Sequence, residues 1–329
     1  MRNRHLVLVH QSSSYLAAGV ATVVLTACLS YSHAANTDST AFSWRQTDSD
    51  VALLDGEQVV WQFNYGSKLA KPYFHPVSVD GRTLTWNSPP DHVWHHGVWF
   101  SWKYIDGVNY WELNPKTGKP DGKTSWSQPQ IETRDDFSAT IEMDLRYGPA
   151  DGDQTLLVER RTIDISPPSD SGELSIDWTS HFTALADVTL DRTPARQGRG
   201  GGYAGLSVRF AKELTDRQAI GVEGTLEFGT DHRHRESGVA VDYNGTIDGQ
   251  PIGLAFLDHA SNPRYPTKWY VIRYPNGIGY INAALLHDNP LKLQENKELK
   301  LRYRLIAHPG QWDAKRLQAE HESFDEVED

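Results

Sequence analysis

The residues best suited to chemistry lie in two stretches. The denser runs Asp91-His92-Val93-Trp94-His95-His96-Gly97-Val98-Trp99-Phe100, preceded by Phe74-His75-Pro76. Neutral imidazoles ligate metals, and an imidazole near its ordinary pKa exchanges protons at physiological pH. A polar loop holding His92, His95 and His96 ahead of a strand from Val98 to Tyr104 lets them converge on one point. Three readings follow: proton transfer or substrate binding, a divalent metal (zinc or copper) drawn from His75, His92, His95 and His96, or histidines that cap turns and stack on Trp94 and Trp99. His-x-x-His-His is not a specific metal spacing outside a helix, so the sequence requires no cofactor.

The second stretch is Leu257-Asp258-His259-Ala260-Ser261-Asn262-Pro263-Arg264-Tyr265-Pro266-Thr267-Lys268-Trp269. Its prolines stiffen a loop after the apolar run Ile252 to Leu257. Asp258 could orient the His259 imidazole, and the planar fork of Arg264 suits a carboxylate or vicinal hydroxyls. The plain alternative is a network that only pins the loop. His181, on the polar face with Asp177, reads as a solvated strand face.

Other chemistries are missing. There is no Gly-x-Ser-x-Gly elbow, and the one cysteine, Cys28, leaves no thiol nucleophile or CxxC zinc site in the body of the chain. Paired carboxylates for glycoside hydrolysis leave no spacing signal. A surplus of 11 Trp and 14 Tyr, with Asp, Asn, His and Arg in the loops, suits stacking on the apolar faces of sugars, although a core absorbs aromatics too.

These loops need a framework, and turn signals dominate the chain. Asp-Gly occurs at Asp55, Asp80, Asp106, Asp121, Asp151 and Asp248, and Asn-Gly at Asn244 and Asn276. Period-2 runs cover Ala139 to Tyr147, Leu156 to Ile165, Leu174 to Phe182 and Leu299 to Ile306, while a helical period appears from Asp313 to about Phe324. The pattern predicts an all-β chain: a large antiparallel two-sheet β-sandwich with a short C-terminal helix, forming one domain over residues 35–329. Arg192 to Tyr203, with its glycines, reads as a loop at the rim of a site.

The N-terminus carries Arg2, Arg4 and His5, then an apolar stretch from Leu16 to Leu29, which reads as a secretory signal over residues 1–34. Cleavage after Ala34 gives a soluble exported protein, periplasmic or secreted. Leu25-Thr26-Ala27-Cys28 also resembles a lipobox, which would leave a lipoprotein anchored at Cys28. No later segment is apolar enough for a transmembrane span. A net charge of −11 disfavours nucleic acid as a partner.

The two loops resemble those of a bacterial family of exported proteins labelled "methane oxygenase PmoA-like". Further matching stretches are Tyr203-Ala204-Gly205-Leu206-Ser207-Val208-Arg209 and Leu301 to His308. Val98 replaces the Leu usual in the family pattern. A membrane methane oxygenase subunit needs several apolar spans, which this chain lacks. The resemblance implies a supersandwich similar in kind to galactose-mutarotase-like and polysaccharide-lyase folds, and association with carbohydrate breakdown. The expectation is an exported lyase, dehydratase or hydrolase acting on an oligosaccharide or modified sugar, with a non-catalytic sugar-binding protein as the alternative. His92, His96, His259 and Asp258 are the expected catalytic groups. His75, His95, Arg264, Trp99 and Trp269 are the expected substrate contacts.

Overall fold

A computed structural model describes residues 42–196 and 200–326, which fall in one unit, Thr40–Asp329. The expected signal, its cleavage point, Cys28, and Gln197-Gly198-Arg199 of the glycine-rich loop lie outside the described residues. Two ten-stranded antiparallel sheets dominate. The first runs, edge to edge, through Phe42–Gln46, Asp50–Asp55, Gln58–Asn64, Tyr73–Val79, Val98–Ser101, Gly205–Arg209, Gly279–Ala283, Trp269–Arg273 and Arg233–His234. The second centres on Ala139–Pro149, Leu157–Ile165, Leu174–Ala184, Glu298–Pro309, Gln250–Asp258 and Ala240–Ile247. A small four-stranded sheet includes Tyr104–Ile105 and Val188–Asp191. The sandwich architecture expected from the sequence is therefore present.

Alternation builds the core. The strand Leu174–Ala184 buries Leu174, Ile176, Trp178, Ser180 and Phe182 and turns His181 outward to solvent. Asp177, on the polar face, takes both Arg304 nitrogens at 2.6 Å. Rings from the two sheets meet across the interface: Phe100 and Phe182 at 5.4 Å, Phe210 stacked on Tyr243 at 4.3 Å, and Phe256 edge-on to Trp269 at 5.0 Å.

Most Asp-Gly and Asn-Gly turns sit where expected, as at Asp248-Gly249, where Asp248 (φ 51°) and Gly249 (φ 75°) close the hairpin between Ala240–Ile247 and Gln250–Asp258. Asn244-Gly245 is different: it lies within a strand. A Cβ on Gly245 would stand 2.4 Å from the Thr215 carbonyl, beside a bulge in the neighbouring strand, so the glycine serves close approach there.

The helix Ala314–Asp325 starts at Asp313, whose carboxylate accepts the Arg316 N–H at 2.8 Å. It buries Leu317, His321 and Phe324 against Ala240, Ala255, Leu257 and Ile306, which face away from the sandwich core. The helix therefore covers part of the outer face of the second sheet, over Ala240–Ile247 and Gln250–Asp258. The outer face of the first sheet is left for other use.

Candidate functional site

Strand alternation supplies that outer face with polar and aromatic side chains. Register places Tyr73 beside Trp99, Trp99 beside Ser207, Ser207 beside Asn282 and Asn282 beside Tyr270. A second row runs Arg209, Tyr280, Ile272, Arg233. Their neighbours in sequence, such as Val98, Phe100, Val208, Ile281 and Val271, point into the core.

The histidine loop folds down onto these rows. It enters Val98–Ser101 through Gly97, where a Cβ would lie 2.1 Å from the Phe74 carbonyl, so only glycine permits the approach. His95 is buried, stacks on Tyr280 at 5.3 Å and rests against Trp99 at 4.9 Å, and its Nδ1 has no hydrogen-bond partner. His92 stacks on His95 at 4.6 Å. The Nδ1 of His92 donates to Asp91 at 2.8 Å, and Arg209 Nη2 donates to both Asp91 oxygens at 2.8 Å. Asp91 thus fixes the imidazole with its Nε2 as the remaining acceptor.

Across from this group stand Tyr203, Tyr270, Tyr274 and Arg233, which with Asp91, His92, His95, Arg209 and Tyr280 line a cavity of about 110 Å³. Arg233 Nε donates to the Tyr270 oxygen at 2.7 Å, so the Tyr270 proton is free to be given elsewhere.

Burial sets the protonation states. It raises the Tyr203, Tyr270 and Tyr280 hydroxyls above the usual tyrosine value, so they stay protonated. Burial opposes ionisation of Asp91, but the hydrogen bond from His92 and the Arg209 guanidinium outweigh it and hold the carboxyl below its ordinary value. Burial lowers His75 to about 4 and His96 to about 3, and takes His95 well below the ordinary imidazole value.

These depressed imidazoles make the fold acid-sensitive. A histidine whose folded pKa lies below its unfolded one binds fewer protons when folded, so its contribution is intact above about pH 6.5 and is lost as pH falls towards the folded value. His75 and His96 should each cost roughly 2 kcal/mol by pH 5. Urea unfolding at pH 7 and pH 5 should show this loss, with His96→Gln losing correspondingly less. Identical pH slopes for the variant and the parent would show that His96 carries none of it.

The structure separates the expected site residues. His92 and His95 line the cavity, and Trp99 is fully buried beneath His95. His96 stands behind it, stacked on Tyr73 at 4.5 Å with Nδ1 on Asn87 Oδ1 at 2.7 Å. His75 pairs through Nδ1 with Thr85 at 3.0 Å. His92 and His95 stack on each other while His75 and His96 are tied down apart from them, and among the described residues no group of three His, Cys, Asp or Glu side chains is arranged for a metal ion.

The second loop does not reach this cavity. Asp258 is buried and spends its oxygens on Asn262 Nδ2 at 2.7 Å and the Thr267 N–H at 2.8 Å, not on the His259 ring. His259 pairs with Ser261 at 2.8 Å and sets its ring edge-on to Phe324 of the helix at 5.0 Å, on the second sheet's side of the molecule. Arg264 caps the carbonyls of Leu285, Asn289 and Pro290, which pins the following loop. Trp269 turns into the core, with its indole N–H on the Gly238 carbonyl at 2.7 Å.

Sequence reasoning did not single out Arg209, Arg233, Tyr203, Tyr270, Tyr274 and Tyr280 as site residues. For Arg209 and Tyr280 the signal was the alternation of polar or aromatic residues with aliphatics in Leu206-Ser207-Val208-Arg209 and Tyr280-Ile281-Asn282.

No helix among the described residues is long and apolar enough to cross a membrane. None of the curated proteins matches the chain. Among solved structures it is similar to an α-galactosidase from Lactobacillus brevis, at 10% identity and TM-score 0.41 over 81% of this chain and 39% of that one. The chain thus spans about two fifths of that enzyme's length. It is also similar to a galactose mutarotase related enzyme from Lactobacillus acidophilus, at 9% identity and TM-score 0.38 over 81% of this chain and 97% of that one. A polysaccharide lyase gives 15% identity and TM-score 0.32 over 85% of this chain and 34% of that one. The PmoA-like name suggested by the motifs does not recur. Residues 50–322 match the model described as "Family of unknown function (DUF6807)", and the chain belongs to that family.

Proposed function

We propose that the chain is an exported carbohydrate-active enzyme that works by acid–base elimination, a lyase or dehydratase, with His92 as the base. The observation that carries this reading is the Asp91-held imidazole lining a cavity walled by tyrosines and guanidinium groups. The tyrosine rings suit the apolar faces of a sugar, their hydroxyls suit its oxygens, and the unpartnered Nδ1 of buried His95 awaits a ligand atom.

Elimination fits this lining better than hydrolysis. Two-carboxylate glycoside hydrolysis needs a second acid, yet Asp91 is the one carboxylate among the described lining residues and is already held by Arg209 and His92. In the proposed step His92 Nε2 takes a proton from the carbon next to a carbonyl or carboxyl group. The C–H electron pair becomes a carbon–carbon double bond, and the C–O bond one carbon further breaks. Tyr270 protonates the departing oxygen, and solvent later removes the His92 proton and restores that of Tyr270.

Mass spectrometry of an oligosaccharide panel incubated with the full chain tests this. The expected products sum to the substrate mass with no added water and include an unsaturated end that absorbs in the short-wavelength ultraviolet. Products that have gained water would overturn elimination. Saturable binding without product would make the chain a sugar-binding protein.

A further inference from the structure

A second hollow adjoins the cavity. It encloses about 560 Å³ and is lined by Lys212, Asp216, Arg217, His232, Arg273 and Tyr274, the last of which also lines the His92 cavity. Tyr274 is therefore a wall common to both, with the Arg233 guanidinium over its ring at 5.1 Å and the His232 ring edge-on at 5.7 Å.

The hollow is cationic in a protein whose net charge is −11. Three permanent cations face one carboxylate, Asp216, which is exposed at the rim. Two of the cations are fixed without being neutralised. Arg217 Nη2 donates to the Tyr274 carbonyl at 2.5 Å, while its buried Nη1 has no hydrogen-bond partner. Arg273 Nη1 donates to the Arg217 carbonyl at 3.2 Å, and its guanidinium lies over Phe228 at 4.4 Å. Guanidinium groups held by carbonyls and a ring keep their charge available for an incoming anion.

We propose that this hollow binds the anionic group, a carboxylate or a sulfate, of a sugar residue whose neighbour occupies the His92 cavity. The substrate is then an acidic oligosaccharide that crosses Tyr274. This assignment rests on the reading of the cavity as a sugar site. The hollow, at about 560 Å³, has more than the room of one sugar residue with its charged substituent, and Tyr274 offers a ring at the junction.

Calorimetric titration tests the assignment, using the full-length His92→Gln variant so that turnover does not consume the ligand. Three oligosaccharides of equal length serve as probes: a neutral glucan, a uronate oligomer and a sulfated oligomer. One acidic oligomer should bind at least about tenfold more tightly than the glucan, with the advantage shrinking as salt rises. The one that wins identifies carboxylate or sulfate as the group held.

Lys212→Glu and Arg273→Gln should each remove about tenfold of the acidic affinity and leave glucan binding unchanged. Lys212 is exposed, so its replacement does not endanger folding. Equal affinity for acidic and neutral probes, binding of none, or indifference to both substitutions would overturn the proposal. Acidic binding as described, without unsaturated product from the parent protein, would remove the elimination step alone. Equal turnover of neutral chains would remove the acidic-substrate assignment alone.

Discussion

His92→Gln should lower kcat by about 10² to 10⁴-fold, the span a positioned general base contributes, while the protein keeps its fold and most of its substrate affinity. Glutamine retains a hydrogen-bond donor that can reach Asp91, so the Asp91–Arg209 pair stays neutralised at 2.8 Å. What it lacks is a basic nitrogen lone pair that can accept the substrate's proton. The loss therefore falls on kcat and kcat/KM together, as for a group that acts only in the transition state.

His96→Gln is the matched control, because His96 stands outside the cavity lining and is already neutral, with its pKa lowered to about 3 by burial. Its kcat should stay within about threefold of the parent. Equal losses in the two variants would mean that the loop's packing, not the imidazole of His92, governs the rate. A His92→Gln protein of undiminished rate would end the acid–base assignment.

The contrast between these two histidines marks how far the sequence could be read. The framework was legible because its signals are local: a strand such as Leu174–Ala184 displays its buried face every second residue, and Asp313 announces the helix it caps. The site was legible only in part. His92, His95 and their neighbours share one loop, so proximity in sequence carried over into space. Asp258, His259 and Arg264 looked equally chemical, yet their polar atoms turned out to satisfy loop backbone or pack under the helix. Nothing local separates an arginine that caps three carbonyls from one that awaits a ligand.

The arginines that do face the cavity, Arg209 and Arg233, meet only because two later strands, Gly279–Ala283 and Trp269–Arg273, lie between theirs in the sheet. A single sequence encodes that order through long-range pairing, which leaves no local pattern. The candidate site lies on the outer face of the first sheet, while the helix docks on part of the second. Which face would be covered could be read only once the helix was seen to dock on Ala255, Leu257 and Ile306.

The core holds one feature that residue type alone does not announce, and it carries the largest expected stability effect. In Leu157–Ile165 the inward positions are Leu157, Glu159, Arg161, Ile163 and Ile165, so a charged pair sits among aliphatics with both side chains fully buried. Arg161 donates through Nε to Glu159 Oε1 at 2.7 Å and through Nη2 to Oε2 at 2.9 Å, while Ser180 at 2.6 Å and the Tyr147 hydroxyl donate to the same carboxylate. The guanidinium lies over Trp178 at 4.7 Å.

Removing one partner leaves the other charge uncompensated in a medium that solvates it poorly. Arg161→Met or Glu159→Met alone should therefore cost about 3–5 kcal/mol. Replacing both by Met removes both charges and restores apolar volume, so the double variant should lie well above the sum of the singles, with a favourable coupling of about 2 kcal/mol or more in a double-mutant cycle. Urea unfolding of the four proteins measures it. Single variants within about 1 kcal/mol of the parent would mean that water or backbone movement relieves the lone charge, and that the pair is not the sealed unit its hydrogen bonds describe.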